Sequence, residues 1–579
     1  MTVDEGGHVL SGLLAWEEGR LDYCSVNPPL VKALVALPVA ASRPQIPEGV
    51  RWGVSPDWVP QHEQFVKANR ERYLELIFRA RPVLVALSVL GGWLVYRWAG
   101  QLYGPVPGLV GLALWALCPN VLCWAGICTV DLGAAVFGLA AAYALRYYLH
   151  HPGWLEAVWA GWVLGLALLS KFTLLVLYPV FLIVWLVAWW QPRGSVAQPG
   201  TGLRWLHFAA ILLVSVLVLN LGYGLEGTGR HLGSFAFKSR ALSGGEAGWG
   251  NRFEGTWLEG LPVPLPAAYV TGLDEQKSHA DRGFPAYLWG EWQHGGWWYY
   301  YLVAAAVKLP LGTWLLGLLA LALACLGRRF RAPAWEEVLL WLPAVAIWVL
   351  LSSQTGINSH FRYVFPALPF LFIGISRVGK LVEDARHAWR QHRPASTEKP
   401  LLTLVGACVV LSALAWNGVA VARIHPHYLS YFNEVAGGPD NGWKWLAESN
   451  IDWGQDLLLL KRWAEEHPEA RPLGLAYYGG IDPHLAGLDY RLAPAEGEGP
   501  RPGWYAVSVN FVCGASFPGF DEQGRRTFFR AGAYTYFRHL TPVAKAGYSI
   551  FIYHVTPEQA KAVRRELGLL LPPPGKVIP

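Results

Sequence analysis

The chain has 579 residues, of which 53% are hydrophobic and only 15% charged, with a formal net charge of +6 at pH 7. Soluble domains carry about 25% charged residues, so this deficit, with 31 Trp and 25 Tyr, excludes an ordinary soluble globule and points to a polytopic membrane protein with aromatic interface belts. The modest positive charge lacks dense Lys/Arg blocks interleaved with aromatics, which argues against nucleic-acid binding, and seven cysteines, five of them in or beside apolar runs, imply no disulfide framework.

Residues 1–81 open with MTVDEGGHVLSGLLAW, where the acidic pair Asp4-Glu5 is followed by His8. HVLSGLLAW reads as a helix with an apolar face. After the break at Asn27-Pro28-Pro29, NPPLVKALVALPV continues as a second amphipathic stretch. Two interfacial helices flanking acidic residues would hold a carboxylate at the membrane surface, where it is able to deprotonate a hydroxyl or amine nucleophile.

A spanning helix needs roughly 20 apolar residues, and that ruler gives ten candidate spans. They lie near Pro82–Trp98, Val106–Ala125, Asp131–Leu149, Leu155–Ser170, Phe172–Trp190, Trp205–Leu221, Tyr299–Leu326, Trp335–Leu351, Tyr363–Ile375 and Leu401–Val421. Alternate connections hold Arg97; Arg146; Arg193 and Arg204; Arg328, Arg329 and Arg331; then Arg377, Lys380, Arg386, Arg390, Arg393 and Lys399. These are expected to be cytoplasmic. Residues 1–81, the turns at Val130 and Lys171, loop 222–298, turn 352–362 and the tail 423–579 should then face outward. An outward N-terminal segment with no signal before it has no evident route across a membrane, so the sequence is expected to lack an upstream first transmembrane helix.

Loop 222–298 combines Pro, Gly and clustered aromatics in LPVPLPAAYVTGL and GFPAYLWGEWQHGGWWYYY, around Glu291 and His294. Aromatic belts account for many of these rings; aromatic faces also pack against sugars. Residues 423–579 read as a soluble α/β domain. DWGQDLLLLKRWAEEH has helical periodicity behind a capping region at Ser449-Asn450. PLGLAYY, WYAVSVNFV and GYSIFIYHV are β-rich runs between Gly/Pro turns. The Pro-rich ending reads as a frayed tail.

Span interiors are nearly bare of charge, whereas a proton-coupled transporter keeps ionisable groups at membrane depth. The polar residues gather instead at the predicted outer boundary, as suits an enzyme whose substrate keeps its tail in lipid. Asp131 starts a span after GICTVD; it reads either as a helix cap or as a second carboxylate facing Asp4. Lys171, in LLSKFTLL, either snorkels to the interface or holds an anion. His360 and Arg362, in SSQTGINSHFRY, offer hydrogen-bonding and positive groups at the same level, and Arg supplies forked bonds to a phosphate.

Taken in order, these motifs resemble the phospholipid-carrier-dependent glycosyltransferases of the GT-C fold, a group similar to protein O-mannosyltransferases and to the transferase that adds aminoarabinose to lipid A. The likeness rests on DEGGHVLSGLLAWEEGRLDYCSVNPPLVKALVALP, the RARP turn at Arg79–Pro82, CPNVLCWAGICTVDLGAA, GLALLSKFT, LPVPLPAAYVTGL, YLWGEW, KLP and HFRYVFPALPF. HYLSYFNEVAGGPDNGWKWLAESNIDWGQDL looks like a tail hallmark of one bacterial subgroup.

The resemblance implies a polyprenyl-phosphate-linked sugar donor and an inverting transfer to a glycan, lipid or protein acceptor on the outer face of the cell membrane. It maps the proposed base onto Asp4, with Glu5 as its motif partner and Asp131 as the second acidic position. Lys171 and Arg362 match basic positions assigned to carrier phosphate, and His8, Glu291 and His360 complete the expected substrate-binding set. Some members use a divalent metal and others do not; this sequence has no decisive ligand cluster. Two rival readings follow from the same features: a lipid or glycolipid transporter, and a non-catalytic glycan-binding membrane protein.

Overall fold

The computed structural model describes residues 2–51, 59–190, 201–245, 249–391 and 400–569. Arg193, Arg393 and Lys399, assigned above to cytoplasmic loops, and the Pro-rich ending lie outside the described residues. The chain forms two compact units: one of Gly7–Ala286 and His294–His425, the other of Met1–Gly6, Tyr287–Gln293 and Pro426–Pro579.

The larger unit is helical, and all ten apolar runs fall on helices. Six are single helices long and apolar enough to cross a membrane: Asp131–His150, Phe172–Trp189, Gly202–Gly222, Ala334–Ser353, Phe361–Trp389 and Leu401–Ile424. Two more are bent pairs, Pro105–Ala116 with Pro119–Ala125 at 63° and Tyr300–Lys308 with Leu311–Leu326 at 112°. Both bends fall where a proline removes a backbone donor and clashes with the preceding turn, at Pro119 and Pro310. The remaining two runs belong to Tyr73–Tyr103, whose first turns carry Glu75, Arg79 and Arg81, and to Trp154–Leu168, whose 15 residues make it short for a span.

The N-terminal helix Glu5–Glu18 differs from an interfacial helix with one wet face, because Glu5–Leu14 are buried throughout. Its close neighbour is Leu30–Ala40. A Cβ on Gly12 would stand 2.0 Å from the Lys32 carbonyl oxygen and 2.6 Å from the Ala36 methyl, so only glycine allows this crossing.

Charge in this unit collects at two ends of one helix. Asp131 begins Asp131–His150, and Arg146 and His150 close it. At that far end Arg146 forks onto Glu336, at 2.5 Å through Nε and 3.0 Å through Nη2, and His150 reaches the same carboxylate at 2.8 Å. Beside it Arg377 pairs with Glu337 at 2.9 Å and with the Tyr103 hydroxyl at 2.7 Å. A 1.5 Å rise per residue puts the two layers roughly 25 Å apart, close to the ~30 Å hydrocarbon thickness of a bilayer.

The smaller unit contains a five-stranded mixed sheet. Arg491–Leu492 lies at one edge, followed by Gly474–Ala476, Gly503–Ser508, Ile550–Val555 and Ala544–Ala546. The first two pairings are parallel and the rest antiparallel. Each of the three β-rich runs supplies one strand. The helix Leu457–Glu466 starts later than its periodicity suggested, because Asp452–Asp456 forms a turn. A capping box between Thr556 and Gln559 begins the last helix, Pro557–Glu566.

Loop 222–298 is not structureless. It holds the helix Ala267–Arg282 and the short strands Pro285–Leu288 and Glu291–His294. Asp274 on that helix accepts the backbone N–H groups of Lys238 at 2.6 Å and Ser239 at 3.0 Å, fastening the preceding chain to it.

Candidate active site

The larger unit brings five of the expected residues together. Asp131 occupies the first position of its helix and is 2% exposed. It makes no capping bond; its carboxylate is instead held by cations. Lys171 Nζ lies 2.5 Å from Oδ1, and Arg362 Nη1 lies 3.7 Å from Oδ2. Lys171, itself only 4% exposed, therefore does not snorkel to water. It sits on the extended residue before the 3₁₀ turn Phe172–Val176, and Arg362 lies in the 3₁₀ turn Phe361–Ala367.

The Tyr363 ring is shared by these groups. Lys171 Nζ is 5.0 Å from its centroid, the Arg362 guanidinium carbon 5.4 Å, and the His360 ring meets it edge-on at 5.2 Å. His8, on the buried N-terminal helix, is close enough to feel the Asp131 charge. The Tyr300 hydroxyl donates to the Ser359 carbonyl at 2.6 Å and the Asn358 amide to the Trp297 carbonyl at 2.8 Å, which steady the turn before His360.

The buried Asp131 carboxylate thus faces two fixed cations, Lys171 and Arg362. Two fixed cations at one buried place are chemically suited to an anion with several acceptor oxygens. Forked Arg and point-charge Lys contacts are the ordinary means of holding phosphate.

Asp4, Glu5 and Glu291 belong to the smaller unit. Glu5 is fully buried and accepts the Thr2 backbone N–H at 2.7 Å, which ties the preceding turn to the first residue of its helix. Asp4 is half-buried, next to Val3, whose N–H donates to the Trp453 carbonyl at 3.1 Å. Glu291 is exposed on its strand. Among the described residues, no group of three or more His, Cys, Asp or Glu side chains is arranged to hold a metal ion.

Sequence reasoning passed over Lys32, which is 2% exposed and donates to the Cys24 carbonyl at 3.1 Å. A single lysine in an amphipathic stretch carries no signal beyond its charge. The Arg146–Glu336 pair was half visible, as charges at span ends, but nothing in the chain paired them.

Residues 75–219, which include Asp131 and Lys171, match the family model for dolichyl-phosphate-mannose-protein mannosyltransferase. Two solved structures align over most of the chain. ArnT from Cupriavidus metallidurans bound to undecaprenyl phosphate is 13% identical, with 95% of this chain and 93% of that one covered and a TM-score of 0.41. The archaeal oligosaccharyltransferase AglB from Archaeoglobus fulgidus, with an inhibitory peptide and a dolichol-phosphate, is 11% identical, with 91% and 70% covered and a TM-score of 0.41. No curated protein sequence matches the chain. Residues 75–219 are thus similar to the family to which the motifs pointed.

Proposed function

We propose that the protein is a membrane glycosyltransferase that moves a sugar from a polyprenyl-phosphate carrier to an acceptor on the extracytoplasmic side, with inversion at the anomeric carbon. The observation that carries this reading is the buried Asp131–Lys171–Arg362 centre at one end of an apolar helix, of which Asp131 and Lys171 fall in the segment that matches the mannosyltransferase model. The extracytoplasmic side is supported by the basic residues Arg146 and Arg377 at the opposite charge layer, since Lys/Arg-rich ends tend to face the cytoplasm.

In this mechanism the carrier's tail stays among the apolar helices and its phosphate sits on Lys171 and Arg362, with His8 and His360 bordering it. Asp131 orients both cations and keeps their charge tolerable before the donor arrives. The acceptor oxygen or nitrogen attacks the anomeric carbon from the face opposite the phosphate. Its proton passes to Asp4, the bond from carbon to phosphate oxygen breaks, and polyprenyl phosphate leaves with the electron pair. Fixed positive charge at the departing oxygens lowers the barrier most, because it is already in place as charge develops. Glu5 holds the start of the helix that follows Asp4. The sugar and acceptor expected from loop 222–298 would meet Glu291 and its aromatic neighbours.

The test is an Asp4→Asn substitution in the full chain, given mixed polyprenyl-phosphate sugars, with products read by mass spectrometry. Transfer should vanish while carrier binding persists. Normal turnover by the variant would refute the assignment of Asp4, and carrier movement across vesicles without any product would favour a transporter.

A further inference from the structure

The motif SNIDWGQD, residues 449–456, has no part in the reaction described above, yet it is among the most buried polar stretches of the smaller unit. Asp452 is fully buried and Asp456 is 4% exposed. The Asp452 carboxylate accepts the Gly454 N–H at 3.1 Å, and its main-chain carbonyl accepts the Asn510 amide at 2.9 Å. Gln455 folds back, taking the Trp453 N–H at 2.7 Å and donating to the Ile451 carbonyl at 2.8 Å. Tyr477 donates to the Gly454 carbonyl at 2.8 Å, and Ser549 donates to Asp456 at 2.9 Å. Gly454 stands at φ +81°, which this turn requires.

Such a network fixes each peptide plane on both sides of Trp453. The Trp453 carbonyl, held in that network, accepts the Val3 N–H at 3.1 Å. A second contact comes from Gly480. The three atoms nearest to a Cβ built on Gly480 all belong to the same segment: Val3 Cα at 3.1 Å, then the Thr2 and Val3 carbonyl oxygens at 3.2 Å each. Residues 2 and 3 therefore meet both a held carbonyl and a glycine that leaves room for backbone, directly before Asp4.

We propose that the SNIDWGQD turn and Gly480 are positioning elements for the reaction: they clamp Thr2–Val3 and thereby set the place of the Asp4 carboxylate. The proposal rests on the reading of Asp4 as the base. Its physical basis is that a displacement of about 1 Å in a reacting group costs on the order of 100-fold in rate.

Two substitutions in the full chain act on the clamp from different sides without touching Asp4. Gly480→Val presses on Thr2–Val3; Val3→Pro deletes the N–H that meets Trp453. Each should lower kcat roughly 10- to 100-fold with the donor KM unchanged, and each should raise hydrogen exchange in residues 2–5. The double variant should lose no more than the worse single one, because both release the same segment. Raised exchange with unchanged kcat would overturn the proposal, as would unchanged exchange in both variants. Loss of activity through a rise in donor KM, or through global unfolding seen as raised exchange across residues 426–569, would also overturn it. Asp4→Asn, run alongside, separates the two claims: an inactive Asp4→Asn with fully active clamp variants sinks the positioning role alone, whereas a fully active Asp4→Asn sinks the reading of Asp4 as base.

Discussion

Replacing Asp131 by Asn tests the charge balance of the buried centre directly. The two cations would remain, and the carboxylate that pairs with both would not. With an effective dielectric of about 20, a unit charge at 2.5 Å contributes about 7 kcal/mol of gross attraction and one at 3.7 Å about 4.5 kcal/mol; the distances are those from Asp131 to Lys171 and Arg362. Most of this is offset by desolvation already incurred, so the measured cost follows the range for breaking buried pairs, about 3–5 kcal/mol. Loss of the partner of two cations places Asp131→Asn at the upper end, a fall in Tm of about 5 °C for a unit of this size. The distinctive expectation is its reversal. A phosphate-bearing polyprenyl lipid supplies the missing negative charge, so it should raise the Tm of the variant more than that of the parent protein. Lys171→Met serves as the counterpart. It leaves a neutral Asp131–Arg362 pair, so it should cost less stability yet raise the donor KM about 10- to 100-fold, the worth of one charge-assisted bond. Thermal unfolding in detergent, with and without carrier, reads all three proteins. Carrier stabilisation of Asp131→Asn equal to or below that of the parent would refute the charge argument.

At the other charge layer, Glu336→Ala strands Arg146, which is 8% exposed, and should cost about 3–5 kcal/mol in thermal unfolding while leaving the donor KM unchanged. Gly12→Ala should destabilise by roughly 1–3 kcal/mol through overpacking at the crossing with Lys32 and Ala36, again measured by unfolding in detergent. Burial, with the like charge of Asp456, pushes the Asp452 carboxyl up to about 8 against the N–H donors of Gly454 and Asn510. The unfolded chain releases that proton near pH 4 while the folded chain keeps it, so the stability of this region should fall as pH rises from about 4 to about 8. Asp452→Asn should flatten that slope in tryptophan-monitored unfolding across the same pH window.

Much of the membrane architecture was legible because hydrocarbon imposes a length and a polarity at once: each of the ten apolar runs became helix. Asp131, Lys171 and Arg362 stood out for the same reason, since charge beside an apolar run is rare and needs a partner. What pairs with what was not legible. Nothing in LLSKFTLL says that its lysine reaches a carboxylate 40 residues earlier. The bends were readable only in part: Pro119 and Pro310 broke runs that hydropathy alone treats as continuous. Helix Ala267–Arg282 escaped notice because it is polar on most sides and flanked by Pro and Gly. The SNIDWGQD segment suggested a helix start, because Ser, Asn and Asp favour caps. Its turn geometry instead comes from Gly454 and from partners at Tyr477, Asn510 and Ser549, which no local pattern reveals.

The two charge layers on helix Asp131–His150 also act as a gauge of bilayer thickness. Both are locked by ion pairs to other helices, so the helix is not free to tilt by itself when the surrounding lipid thickens or thins. Acyl chains much longer than this spacing would draw ionised groups toward hydrocarbon, and shorter ones would wet apolar side chains, each at a fraction of a kcal/mol per Å. Turnover in vesicles should therefore pass through a maximum as lipid chain length is varied.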